Sequence, residues 1–379
     1  MRRRPERDGN VTDQEAEALR GAQRATTARR AGRTLGELTA TYGLAVVFVL
    51  VMVLFGVLRP TTFFSAININ TILVGQSITA MLALAEMIPL ATRQFDLSVG
   101  FHLGMAQMLI VGLQVQNGLP WPVAAVVILV IALVVGAFNG ILVARFGIDS
   151  FIATMGVGTL LYGVTNWYSG GQQITGTDLP DSFTGLTGIY LHVPLPALFV
   201  AVTAIVLWLV TERLPVGRSL YVIGSSPRAA ELTGIRISRH IIGSFTAAGL
   251  LSGLAGIMLG SLLQTGTPSV GPEYLLPAFA ATLLGATSIH PGRVNVLGTL
   301  LAVLILAFSF SGVQQLGAPF YVQYFFNGGI LIVAVGLSVY AAARRRRAAT
   351  AADTQEPSTE PLRTAASGRK VDGAIRDLG

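Results

Sequence analysis

"WPVAAVVILVIALVVGAFNGILVA", residues 121–144, runs for 24 positions without a charged side chain. At 1.5 Å rise per residue such a helix is about 36 Å long, enough to cross a hydrocarbon layer of about 30 Å. Comparable apolar segments lie on both sides of it. They fall at roughly 43–59, 71–91, 97–115, 151–168, 195–211, 241–264, 273–289, 294–312 and 322–343. In lipid every backbone polar group has to be paired inside its own segment, so each segment predicts a helix. The expectation is an all-α polytopic membrane protein with about ten transmembrane helices. An even number puts both termini on one side.

The composition agrees. Of 379 residues only 12% are charged, against about a quarter in a soluble domain. The net charge of +7 is not spread evenly. Nine arginines lie in residues 1–33 and eight Lys/Arg lie from Arg344 onward. If both ends are cytoplasmic, the inner connections hold Arg93, Arg145, Arg213, Arg218, Arg228, Arg236, Arg239 and Arg293. The outer ones hold Arg59. That asymmetry is the positive-inside pattern, not a nucleic-acid footprint, because no aromatic-basic patch accompanies it. No nucleic-acid partner is expected, and membrane lipid is the environment.

Three regions follow: a basic, disordered cytoplasmic tail at 1–40, a transmembrane domain at 41–343, and a second disordered cytoplasmic tail at 344–379. The chain has no cysteine, which excludes disulfides and thiolate metal sites. Its histidines, His102, His192, His240 and His290, are scattered, so no metal site is expected. The stretch 169–194 reads as an ordinary polar outer loop, with docking of an extracytoplasmic partner as the alternative.

The loop 212–240 interrupts the apolar pattern with "GSSPRAAELTGIRISRH" at 224–240. Ser226 is a fitting N-cap and Pro227 suits the first helical position. Arg228, Ala229, Ala230, Glu231 and Leu232 favour helix, and Gly234 is a fitting stop. A helix of about two turns is marginal alone in water, so it needs a surface to pack on.

Here the sequence resembles a known family. "GRSLYVIGSSPRAAELTGI" (217–235) is similar to the cytoplasmic coupling loop of permease subunits of ATP-binding-cassette importers, most of all the ribose/xylose/arabinose type. "FDLSVG" (95–100), "FNGILVARFGIDSFIATMGVGTLLYGVTNWYSGGQQI" (138–174) and "LLGATSIHPGRVNVLGTLLAVLIL" (283–306) resemble other segments of that family, in the same order. The match covers about 42–343 and breaks at Glu86, Pro89 and Arg93-Gln94.

The resemblance implies a plasma-membrane, multi-pass permease for a ribose- or xylose-like monosaccharide or polyol. It would be no enzyme and would hold no cofactor, since ATP binds a partner subunit. Consistently, the only lysine is Lys370 and no G-x-x-x-x-G-K-[ST] motif occurs. The implied partners are cytosolic ATPase subunits, an extracytoplasmic sugar-binding protein, and a second permease subunit in a homodimer or pseudo-dimer. Arg228 and Glu231 would fix the coupling helix in the ATPase by polar contacts, and Leu232 would anchor it.

Other polar residues remain open. Asp96 and Ser98 begin the third span, where Asp96 resembles an N-cap; gating is the alternative. Asn139, Asn166 and Gln314 suit a sugar path and equally suit interhelical hydrogen bonding. Glu86 lies three residues before Pro89, where it is expected to snorkel or to bond the backbone that proline frees. Gly249, Ser252, Gly253, Gly256 and Gly260 recur at four-residue spacing, the signature of close helix packing. Two alternatives stand beside a sugar permease: a related permease for nucleosides, branched-chain amino acids or a furanosyl signalling molecule, and an ion-coupled transporter using Glu86.

Overall fold

In the computed structural model, residues 41–190, 193–333 and 336 are described. The expected tails at 1–40 and 344–379 lie outside them. The chain divides into Met1–Gly336 and Leu337–Gly379, and the second unit also falls outside the described residues.

Ten long helices carry the fold among the described residues, and each coincides with one of the apolar segments. They are α1 (Thr41–Leu58), α2 (Ala66–Ala91), α3 (Val99–Val115), α4 (Trp121–Ala144), α5 (Ser150–Ser169), α7 (Leu195–Trp208, continued by a π-turn to Arg213), α10 (Ile237–Leu263), α11 (Gly271–Gly285), α12 (Val296–Gln315) and α13 (Val322–Val333). Three short helices lie between them: α6 (Asp181–Thr184), α8 (Pro215–Ser225) and α9 (Pro227–Leu232). Six of the long helices (α1, α2, α4, α7, α10 and α12) are long and apolar enough to cross a membrane, and α3 and α13 are shorter apolar helices.

Local chemistry sets the helix ends. Asp149 accepts from Phe151 N at 3.0 Å and Ile152 N at 3.3 Å to start α5. Asn295 accepts from Gly298 N at 2.7 Å to start α12. Gly170 ends α5 in the left-handed conformation, where a Cβ would be strained.

α2, α10 and α12 form the interior, while α1, α4 and α7 turn most of their apolar surface outward. α10 is the hub and packs against α4, α3 and α2. Two glycines permit that approach. A Cβ on Gly249 would lie 2.5 Å from the Ala132 carbonyl of α4, and one on Gly256 would lie 2.5 Å from the Leu103 carbonyl of α3. Gly253 faces Ala132, Gly260 faces Ile110, and Ser252 donates to the Ala248 carbonyl at 2.7 Å.

Hydrogen bonds gather several connections at one end of the bundle. Ile289 N donates to Thr41 O, Phe95 N to Ser150 Oγ, and Ser238 Oγ to Ala144 O. The segments bearing the eight arginines from Arg93 to Arg293 all sit there, whereas Arg59 follows α1 at the opposite end.

Two expectations need correction. The stretch 169–194 is not a plain polar loop. β1 (Ile174–Thr175) pairs with β4 (Thr265–Gly266), and β2 (Ile189–Tyr190) pairs with β3 (Val193–Pro194). Phe183 is fully buried, and its carbonyl accepts from Ser261 of α10. Apolar side chains hidden among the polar ones fold this segment onto the bundle. Nor does the loop 212–240 hold a single helix, because α8 precedes α9.

Candidate functional site

Two sites at the arginine-bearing end deserve separate description. The first is α9. Ser226 Oγ accepts from Ala229 N at 3.3 Å, so one orphan N–H of the helix is satisfied. Pro227 takes the first turn, where its missing N–H costs nothing. The last turn closes through Thr233 N onto Ala229 O, and Gly234 follows at φ 76°. Arg228 Nη1 pairs with Glu231 Oε2 at 3.1 Å, both side chains being exposed. Ala230 is buried beneath the helix. Leu232 points outward and is 77% exposed, a large apolar side chain left largely uncovered by the described residues. α8 supports the helix from below and touches the ends of α2 and α10.

The second site is a buried polar cluster under the same end. Asp96 Oδ1 accepts from Ser98 N at 3.0 Å and from Ser98 Oγ at 2.5 Å. Asn139 of α4 donates to Ser98 Oγ at 2.8 Å. With that hydroxyl donating to Asp96, His102 Nδ1 carries the hydrogen and donates to Ser98 O at 3.1 Å. Glu86 Oε1 accepts from Asp96 N at 3.2 Å. All five residues are fully buried. Thr154 and Ser150 of α5 accept from Leu97 N and Phe95 N, fastening the 92–98 turn to a fourth helix.

This geometry corrects two expectations. Asp96 does bond a backbone N–H at the start of α3, but the helix uses Ser98 as its N-cap position. Glu86 does not snorkel; it is sealed inside and bonds the backbone of Asp96 rather than that near Pro89. Four polar atoms have no hydrogen-bond partner: Glu86 Oε2, Asp96 Oδ2, His102 Nε2 and Asn139 Oδ1. Among the described residues neither carboxylate meets a basic group within ion-pair distance, an expensive arrangement in a low-dielectric interior. The described residues hold no His/Cys/Asp/Glu group able to bind a metal.

Of the polar residues assigned to a path or gate, Asp96, Ser98 and Asn139 therefore come together, but with their side chains closed off. Asn166 and Gln314 are elsewhere. Asn166 donates to Tyr162 O along α5, and Gln314 is exposed near the end of α12. None of the five lines either of two cavities. One, of about 20 Å³, has Gln76, Thr79, Phe310, Gln323 and Asn327 in its wall. The other, of about 200 Å³, is almost wholly apolar and lies between α2, α7 and α12. The sequence reading missed His102, although it follows Ser98 by four positions, one helical turn. It also missed α8, whose buried residues Gly217, Leu220 and Gly224 fall on one helical face.

Residues 68–335 match the family model described as branched-chain amino acid transport system / permease component. Among curated proteins, the ribose import permease protein RbsC of Bacillus subtilis (strain 168) is 34% identical over 297 residues, 76% of this chain and 89% of that protein. The D-allose transport system permease protein AlsC of Escherichia coli (strain K12) is 28% identical over 78% of this chain and 90% of its own. The autoinducer 2 import system permease protein LsrD of Salmonella paratyphi A (strain ATCC 9150 / SARB42) is 28% identical over 77% and 89%. No solved structure matches the chain. With the helical bundle, its apolar spans and a family match across most of the described residues, the chain belongs to this family of transport-system permease components and is a multi-pass protein of the plasma membrane.

Proposed function

We propose that the protein is the membrane-spanning subunit of an ATP-binding-cassette importer for a monosaccharide, with ten spans and both termini in the cytoplasm. A separate ATPase subunit docks on α9 and drives alternating access. The relatives' names support the sugar class: a ribose permease, an allose permease and an autoinducer 2 permease. The positive-inside rule supports the orientation, since the arginine-bearing end then faces the cytoplasm.

The observation that carries the reading is Leu232, held outward by a capped helix at that end and 77% exposed. Burying it in a partner groove contributes roughly 1.5–3 kcal/mol. The exposed Arg228–Glu231 pair supplies polar contacts beside it. A second permease subunit completes the path, and the folded segment 174–190 at the opposite end receives a sugar-binding protein. The chain itself catalyses no covalent step and holds no nucleotide.

The test is affinity purification in mild detergent, with the natural chain and with Arg228, Glu231 and Leu232 replaced together. An ATPase of the cassette type should accompany the natural chain and be absent from the variant. A stable natural chain that brings down no ATPase would overturn the reading. Sugar uptake that survives ATP depletion and collapses with the ion gradient would point to Glu86 instead.

A further inference from the structure

The contacts that hold α8 to the bundle are separate from the buried polar cluster, and the one made by Tyr221 meets an arginine. α8 presents Gly217, Tyr221 and Gly224 at positions i, i+4 and i+7, one face of the helix. Gly224 lies directly against the carbonyl of Ala91 at the end of α2, where any side chain would meet backbone. The Tyr221 hydroxyl donates to the Val294 carbonyl at 3.1 Å. Burial pushes its phenol above the ordinary value of 10, so it stays protonated and a donor at neutral pH.

Arg293 binds this arrangement together. Its guanidinium lies 3.9 Å from the centroid of the Tyr221 ring. Its Nη2 pairs with the Glu212 carboxylate at the end of α7, both side chains being largely shielded from water. One side chain thus joins α7, α8 and the 286–295 turn. That turn is stiff. Asn295 donates to Ser288 O at 3.0 Å and Arg293 O at 3.2 Å, and it caps α12 as well. Displacing Arg293 therefore displaces the ends of α11 and α12 together.

We infer that Arg293 is the joint that carries movement of α9 into α11 and α12, while Gly224 carries it into α2. The inference rests on the ATP-driven reading above. α8 is a rod about 16 Å long, joined to α9 through Ser226 alone. A shift of α9 in an ATPase groove has to move α8, and beside its packing on α10 and, through Gly217, on Thr211, these two places tie α8 to α2 and to the 286–295 turn. Arginine suits the joint because its flat cation stacks on a ring while its N–H groups pair a carboxylate, which the point charge of lysine does not reproduce. Arg293 is a positioning residue acting through Tyr221 and Glu212.

The test uses the complete transporter in proteoliposomes, with its ATPase and binding protein, and reads sugar taken up per ATP hydrolysed. Arg293→Gln should retain the ATPase and hydrolyse ATP at the natural rate. Its uptake-to-hydrolysis ratio should fall about tenfold, within the usual range of coupling between sites. Exchanging the charges, Arg293→Glu with Glu212→Arg, should recover part of the ratio lost in Arg293→Glu alone. An unchanged ratio in Arg293→Gln overturns the inference. So does joint loss of ATPase binding, hydrolysis and uptake that the charge exchange does not restore, because the arginine then only supports folding. A natural chain that binds no ATPase is a different failure: it sinks the functional reading and this inference with it.

Discussion

α9 and the Asp96 cluster lie at the same end of the bundle, and each is organised by a serine, but the two serines are used in opposite ways. Ser226 satisfies a backbone N–H of its own helix, and the side chains beyond it face outward: Arg228, Glu231 and Leu232. Ser98 also occupies an N-cap position, yet its hydroxyl caps nothing. It donates to Asp96 and accepts from Asn139, knitting α3 to α4 and to the turn after α2. The difference follows from water. At α9 any unmatched polar group is solvated, so its side chains are free to serve a partner. Inside the bundle an unmatched group costs its full desolvation, so each of the five side chains spends at least one polar atom on a neighbour, and the four atoms left unmatched are a cost the packing has to offset. On the proposed function, polar residues at this end divide into those that dock and those that hold.

If that division is right, changes to α9 should remove function without touching stability. The largest effect is expected from Leu232→Asp. ATPase co-purification and uptake should be lost, while the unfolding free energy of the isolated permease changes by no more than about 0.5 kcal/mol, as for other surface substitutions. A large drop in thermal stability would show that Leu232 packs within the chain.

The buried site should behave in the reverse way. Asp96→Ala strips the Ser98 N–H and hydroxyl of their acceptor and should destabilise the permease by about 2 kcal/mol, read by thermal unfolding in detergent. Close packing predicts a similar loss for Gly256→Leu, about 1–3 kcal/mol by overpacking against the Leu103 carbonyl. If Asp96→Ala leaves stability untouched while stopping transport, the cluster is a gate and the division fails.

Smaller effects sharpen the boundary. Ser226→Ala removes one cap, worth about 1 kcal/mol of local helix stability. ATPase affinity should weaken roughly fivefold, since 1.4 kcal/mol is tenfold. Arg228→Ala alone should shift permease stability least, because an exposed ion pair contributes roughly 0–1 kcal/mol and is screened by salt. Its effect on ATPase affinity should shrink as ionic strength rises.

α9 could be read from the sequence nearly residue by residue, because capping and helix termination are decided within a turn of chain. Ser226, Pro227 and Gly234 each act on neighbours a few positions away. α8 was harder. Its buried face is carried by two glycines, a leucine and an isoleucine, and the glycines leave no apolar stripe to notice. Glu86 was misread because its environment depends on a turn ten residues on that folds back over it. The fold of 174–190 was missed for the same reason: its strand partner is Thr265–Gly266, some ninety residues away.

The amino-acid sequence by itself determined the class of this protein. Apolar runs long enough to span a bilayer must be helical, since their backbone groups have no water to bond, and the arginines between them mark one end. The tertiary structure alone decided which polar residues meet. Glu86, Asp96, Ser98, His102 and Asn139 come from three helices and a turn, and Glu212, Tyr221 and Arg293 from two helices and a turn. No local preference brings such groups together. They meet because the helices pack, and the energies of burial and of paired charge apply only once they have met.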